Sequence, residues 1–297
     1  MNNMFLIIHN PLSNNKKSKK TTSKIVKFCQ KHDVPFILRS TLKIDNLNDF
    51  LDGNPNVTDI IYCGGDGSFN YLVNNVDVER IKANIYLAQS GSGNDFIRTL
   101  KPLYSANISI GQAQNNTKPA RFINGCGIGV DAAVCHFVNS DHKKNKLSYF
   151  VNTFKAISQF KPIAMDVTVD GVNHHFNKTF FVAVQNGRFF GGGMKAAPKA
   201  DPTTDEYQVI VAHSVSKALI SLLFVTIYSG LHVKIKKYVS MFVGKSIIIK
   251  TATPQYFQTD GEVIDGVDTV EISKAISREF IAYIPKAIKN LHQHTKA

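Results

Sequence analysis

Apolar positions in the first third of the chain fall into short runs separated by stretches with helical spacing. Met4 to Ile8, Val34 to Leu38, Asp59 to Cys63 and Asn84 to Ala88 read as strands, with helices over Ser18 to His32 and Ile44 to Asp52. Such alternation predicts a mainly parallel sheet covered by helices. Beyond about Arg121 the pattern changes. Helical spacing marks Val130 to Asn139 and Leu147 to Phe160, and the uncharged run Ala218 to Leu231 reads as a buried helix. Strands dominate the rest: Met165 to Val169, Val172 to Phe176, Thr179 to Gln185, Gln208 to Ala212, Val239 to Phe242, Ser246 to Lys250 and Val270 to Ile272. Asp170-Gly171, between two alternating runs, is a two-residue hairpin turn. The expected fold class is therefore α/β plus β. A doubly wound α/β nucleotide-binding domain precedes a β-sandwich-like domain, with a cleft between them.

Composition agrees with folded domains. The chain has 297 residues, 43% hydrophobic and 19% charged, enough for two domains with their own cores. Its formal net charge of +13 favours anionic partners such as a nucleotide or an anionic membrane, or reflects general surface basicity. Lysines gather at positions 16 to 24, at 143, 144 and 146, and at 234, 236 and 237. No recognisable nucleic-acid reading module accompanies them, so nucleic acid is not expected. The four cysteines have neither C-x-x-C nor zinc spacing and read as reduced thiols. No signal peptide is expected at the N-terminus, and the Ala218 to Leu231 run is too short to span a bilayer comfortably. A cytoplasmic protein that meets a membrane from its inner face is the expectation.

Chemistry concentrates in two glycine turns. Cys63-Gly64-Gly65-Asp66-Gly67-Ser68-Phe69-Asn70 lies between a strand and a helix, where glycine lets backbone N–H groups approach a phosphate. Asp66 would repel phosphate unless a divalent cation lay between them, so the turn reads as a metal-nucleotide site. Ser90-Gly91-Ser92-Gly93-Asn94-Asp95-Phe96 repeats the arrangement after the next strand, which brings both turns to one sheet edge. Neither turn has the G-x-x-x-x-G-K-[ST] or G-x-G-x-x-G spacing.

These two turns, with Arg98, resemble the catalytic domain of the diacylglycerol kinase family, in particular its soluble bacterial lipid kinases. The resemblance continues in family order through Asn10-Pro11-x-Ser13, Asn124 to Asp131, Gly191-Gly192-Gly193-Met194 with Pro198, and Asp260-Gly261-Glu262. It implies residues 1–122 plus a returning tail, 280–297, as the nucleotide domain, and 123–279 as the second domain, hinged near Arg121 to Gly129. It further implies transfer of the γ-phosphoryl of ATP, with Mg²⁺, to a lipid hydroxyl, diacylglycerol foremost. Implied nucleotide contacts are Asn10, Pro11, Ser13, Asn14, Thr41, Gly64, Gly65, Asp66, Gly67, Ser68, Asn70, Gly91, Ser92 and Asn94. Asn14 stands where the family has glycine.

The implied catalytic set is Asp260 as general base, Glu262 near the metal or nucleotide, and Asp66, Asp95 and Asp131 in an Asp, water and Mg²⁺ network. From spacing alone, any of the five Asp-Gly pairs, including Asp260-Gly261, is as readily a turn, and Asp131 a helix N-cap. A second, structural Mg²⁺ is implied at Asp205 with the carbonyls of Pro202 and Tyr207, although Glu206 replaces the usual glycine. A homodimer is implied as well. The alternatives are a kinase of phosphatidylglycerol, a sphingoid base or a polyprenol, a silent nucleotide- or lipid-binding regulator, and the related NAD kinases. The last share the G-G-D-G turn but have an N-x-D/E-type second turn.

Overall fold

The computed structural model describes residues 4–11, 15–91, 93–140 and 146–283. Ser13, Asn14, Ser92, Lys143, Lys144 and the tail from Ile284 onward lie outside the described residues. Contacts divide the chain into two units, one running to Ile108 and resuming at Ser277, the other covering Ser109–Ile276. By contacts the chain changes unit within two long strands, Ser105–Gln114 and Glu262–Ala282.

The first unit is an alternating α/β layer. Its elements are β1 (Met4–His9), α1 (Asn15–Lys31), β2 (Phe36–Ser40), α2 (Leu47–Asp52), β3 (Val57–Gly64), α3 (Asp66–Asn75), β4 (Asn84–Gln89) and α4 (Asp95–Leu100). The strands pair in parallel in the order β2-β1-β3-β4. Near the chain end, Ile281 and Ala282 add a fifth parallel partner beside Tyr86 and Leu87. Leu6, Ile7, Ile60, Ile61 and Leu87 are buried together, as expected of strands covered on both faces. The chain leaves each strand at the same edge, which puts Asn10-Pro11, Thr41, Gly64-Gly65 and Ser90-Gly91 in one row.

The second unit is built from antiparallel strands. After β5 (Ser105–Gln114) come β6 (Ala120–Phe122), β7 (Gly125–Gly129), α5 (Val130–Ser140), α6 (Lys146–Gln159), β8 (Ile163–Val169), β9 (Val172–Gln185) and β10 (Tyr207–His213). Then follow α7 (Lys217–Thr226), β11 (Val239–Gly244), β12 (Ile247–Thr259) and β13 (Glu262–Ala282). The long strands β9 and β12 pair with β7 at one end and with β8 at the other, so the four strands close a ring. Met165, Val167, Val182, Val184, Ile249 and Phe257 fill its interior. Beyond β9 the sheet extends through β10 and β11. Helices α5 to α7 contribute a second apolar cluster with residues of β9 and β10.

Three expectations need correction. Asn124 to Gly129 reads as a hinge of small residues, yet Gly125–Gly129 is a wholly buried strand. Its glycines disguise it, because they are depleted from strands except where another chain segment comes close. A Cβ on Gly129 would lie 2.4 Å from the Phe180 carbonyl oxygen. Val172 to Phe176 and Thr179 to Gln185 form one strand, not two. Finally, α7 is not buried all round: Leu222 is 63% and Val225 54% exposed.

Candidate active site

The two glycine turns of the first unit are built against each other. A Cβ on Gly65 would sit 2.5 Å from the Gly93 oxygen and 2.8 Å from Gly91 Cα, and one on Gly91 only 2.5 Å from Gly65 Cα. Neither position has room for a side chain. Ser90 N–H donates to the Gly64 carbonyl at 2.8 Å, which ties the turns further. Asp66 completes the join. Its Oδ2 accepts from Asp95 N–H at 2.9 Å and its Oδ1 from Phe96 N–H at 3.0 Å, so it caps α4 across the turn. Asp95 is buried and pairs with Arg98 at 2.7 Å.

A nucleotide phosphate fits this turn on one observation. Nothing lies within 4 Å of a Cβ built on Gly67, so the backbone just after Asp66 has open space beside it. Ser68 and Asn70 are buried on the same helix, and Asn94 Nδ2 donates to the Gly91 carbonyl at 3.0 Å. Among the described residues no three His, Cys, Asp or Glu side chains cluster as a ready-made metal site. A metal ion bound with the nucleotide would therefore take its ligands largely from phosphate oxygens and water, with one or two carboxylates, as Mg²⁺ ordinarily does.

In the second unit Asp260 and Gly261 form the β12–β13 hairpin turn, with φ of 48° and 94°. Asp260 Oδ1 accepts from Asn124 N–H at 2.9 Å and Gly125 N–H at 3.1 Å, and Oδ2 from Ile123 N–H at 2.8 Å. Asp170, in the β8–β9 hairpin, does the same for another segment by accepting from Lys245 and Ser246 N–H at 2.9 and 2.8 Å. These bonds hold the Asp170 carboxyl below the usual carboxylate range. Glu262 is exposed at the start of β13.

Asp131 contrasts with Asp260. It opens α5, Gln258 Nε2 donates to its Oδ2 at 3.3 Å, and its Oδ1 has no hydrogen-bond partner among the described residues. Burial pushes its carboxyl up to about 6, with the Gln258 bond and the backbone N–H groups of Ala132 and Asp131 pulling the other way.

Asp131 stands in the wall of an apolar cavity lined by residues of α5, α6, α7, β9, β10 and β11 and of the segments between them, among them Val134, Ile157, Phe181, Met194, Ile210 and Leu223. One other titratable side chain lines it. His232 is 3% exposed, its Nε2–H donates to the Ala196 carbonyl at 2.8 Å, and burial pushes its pKa down. Its volume is about 60 Å³, and it is partly open to solvent. A larger guest enters only if the walls part. No motif in the sequence marks this cavity, because its lining is ordinary core residues drawn from six elements and the segments between them.

The expected structural cation site does not fit. Lys274 Nζ lies 2.8 Å from Asp205 Oδ1, so an ammonium neutralises that carboxylate. The Pro202 carbonyl accepts from Ser109 N–H at 2.7 Å, and Tyr207 begins the β10 ladder opposite Gly244. Asp201 bonds its own loop through Thr203.

Such a pairing of folds, glycine turns at the edge of a parallel sheet followed by an antiparallel domain, defines a class of small-molecule and lipid kinases related to the NAD kinases. The diacylglycerol kinase catalytic domain matches residues 4–124, and the YegS C-terminal NAD kinase beta sandwich-like domain matches 125–289. The chain belongs to this family of lipid kinases. "Putative lipid kinase YtlR" of Bacillus subtilis is 27% identical over 69% of this chain and 74% of its own. "Putative lipid kinase" of Staphylococcus carnosus is 24% identical over 68% and 69%. A Bacillus anthracis diacylglycerol kinase structure shares the fold with a TM-score of 0.68 at 18% identity, over 95% of this chain and 97% of that one. Yeast NADH kinase complexed with NADH does so at 0.52 and 8%, over 100% and 89%.

Two outcomes follow from the packing of the glycine turns. Gly91→Ala forces backbone apart and should lower stability by about 1–3 kcal/mol with at least a tenfold loss of ATP affinity. Gly67→Ala, with open space, should leave melting unchanged or raise stability by up to about 1 kcal/mol. Thermal melts and ATP titration check both.

Asp131 has a folded pKa raised from 3.8 to about 6, so its contribution is fully present below 3.8 and is lost as pH rises through 6. Asp131→Asn should therefore gain stability over the wild type at pH 7.5, on the order of 2 kcal/mol, an advantage that fades below pH 5 in parallel melts. At the Asp205–Lys274 pair, Mg²⁺ without nucleotide should leave the melting temperature unchanged. Asp205→Asn should cost less than about 1 kcal/mol, as for an exposed ion pair.

Proposed function

We propose that the protein is an ATP- and Mg²⁺-dependent kinase that phosphorylates a lipid hydroxyl, with diacylglycerol as acceptor and phosphatidic acid as product. The observation that carries this reading is the apolar cavity with a carboxylate in its wall. A soluble acceptor such as NAD needs no such lining, whereas an acyl chain does. When bound, ATP supplies the phosphoryl group. The Gly64–Gly67 turn and the start of α3 would hold its phosphates through backbone N–H groups, and the Asp66 cap on α4 keeps that turn in shape.

The acceptor hydroxyl must lose a proton, and two carboxylates compete for it. Asp260 matches the family's D-G-E turn, but its oxygens already accept three backbone N–H bonds. Those bonds disappear in strength when the carboxylate is protonated, which weakens it as a base. Asp131 has an oxygen without such a bond and a carboxyl near 6, ionised at neutral pH yet able to take a proton. These observations support Asp131 as the group that takes the proton, with Asp260 holding the Ile123–Gly125 segment that leads into β7.

Transfer of labelled γ-phosphate into a lipid panel in mixed micelles tests the reading, with NAD as soluble acceptor. Asp131→Asn should cut kcat at least about 100-fold without lowering the melting temperature. Asp260→Asn turns an amide N–H toward backbone donors and should destabilise by about 2–4 kcal/mol. Full turnover in Asp131→Asn, together with abolished turnover and an unchanged melt in Asp260→Asn, would return the base to Asp260. Label in another lipid alone would replace diacylglycerol, and label in NAD alone would reject the lipid reading.

A further inference from the structure

Helix α7 is apolar on both sides. Ile220, Leu223, Phe224 and Ile227 line the cavity. On the other side Leu222 is 63%, Val225 54%, Tyr228 48% and Leu231 49% exposed. Water gains nothing from four large apolar side chains within ten residues, and a patch of this kind marks a surface that something covers. Ser216 caps the helix by accepting from Leu219 N–H, and Gly230, at φ 75°, turns the chain into the segment that carries His232. The helix is thus a short, well-started element whose inner face touches the cavity.

The charge around it has one sign. From Tyr207 to Thr259 there is no Asp or Glu, while lysines stand at 217, 234, 236, 237, 245 and 250. Lys234, Lys236 and Lys237 are exposed directly after the apolar residues. An exposed apolar face followed by exposed cations has the two components that hold a protein at an anionic bilayer: side chains for the acyl boundary and ammonium groups for the headgroups.

We infer that α7 with the Leu231–Lys237 segment docks on an anionic lipid bilayer, and that docking seats the cavity helix at the surface that supplies its lipid. This rests on the lipid-kinase reading for its purpose, but not for its test. The same helix separates the cavity from the exposed face, so displacement of α7 by the bilayer is the motion that would part the cavity walls. Leu222 and Val225 immersed, and Lys234, Lys236 and Lys237 among headgroups, define the orientation.

The chain contains no tryptophan, so Leu222→Trp introduces a single fluorescent reporter. With vesicles of phosphatidylcholine and phosphatidylglycerol, and no nucleotide, its emission should shift to the blue and be quenched by lipids brominated close to the headgroup. Phosphatidylcholine alone should give little shift, and added salt should release the protein. In co-sedimentation, Leu222→Ser with Val225→Ser, and separately Lys234→Glu with Lys236→Glu and Lys237→Glu, should each weaken vesicle binding by about tenfold or more at an unchanged melting temperature. An unshifted reporter in anionic vesicles overturns the proposal. So does sedimentation as a dimer that Leu222→Ser with Val225→Ser dissociates, since a second copy then covers the face. Because binding is read without ATP or acceptor, failure to phosphorylate any lipid would reject the kinase reading and leave this result standing.

Discussion

The first unit depends on a contact between two backbones. Gly65 and Gly91 approach so closely that a methyl on either would overlap the other's Cα. That approach lets one carboxylate, Asp66, serve two helices: it lies in the first turn of α3 and caps α4 with both oxygens. Two N–H groups that a helix start would otherwise leave unbonded are thereby satisfied, and a charge sits where the α4 dipole favours it. The carboxylate faces the neighbouring helix rather than the open side at Gly67, which lessens its repulsion of a phosphate bound there. A cation arriving with phosphates remains compatible with this arrangement but is not needed to hold it.

The same economy recurs in the second unit through Asp-Gly hairpins. In Asp170-Gly171 and Asp260-Gly261 both residues have positive φ, which matches the twist of the flanking strands. In both, the aspartate reaches sideways to bond backbone N–H groups of a separate segment. One device therefore fixes Lys245-Ser246 against one hairpin and Ile123-Asn124-Gly125 against the other. Asp170 shows that the arrangement requires no catalysis. A function assigned to Asp260 must add to that structural role and cannot be read from the D-G-E pattern alone.

Much of the first unit was legible in the sequence because its strands are continuous apolar runs and its turns are glycine with acid. Neighbouring strands of a parallel sheet bring such turns to one edge, so Asn10, Thr41, Gly64 and Gly91 could be placed together before any fold was seen. The second unit hid its decisive elements. β7 consists of Gly125-Cys126-Gly127-Ile128-Gly129, a composition that argues against a strand until the close approach of β9 is known. The cavity wall draws on residues between Val130 and Val239, each an ordinary core residue in its own segment. At Asp205 the acid was visible but its partner was not. Lys274 lies 69 positions later on an unrelated strand, and only the pairing shows that an ammonium meets the carboxylate.

Inside the cavity, burial moves the two titratable groups in opposite directions. The Asp131 carboxyl rises to about 6 and His232 falls below 6.5, so each is driven toward its neutral form. With Nε2–H committed to the Ala196 carbonyl, the neutral ring presents Nδ1 as an acceptor, and that atom has no partner among the described residues. Asp131 Oδ1 is an acceptor without a partner as well. Two acceptors without a partner among the described residues thus face a lining that is otherwise apolar apart from the Thr153 hydroxyl. A bare hydrocarbon beside these two atoms would leave them unpaired, whereas water or a hydroxyl would not.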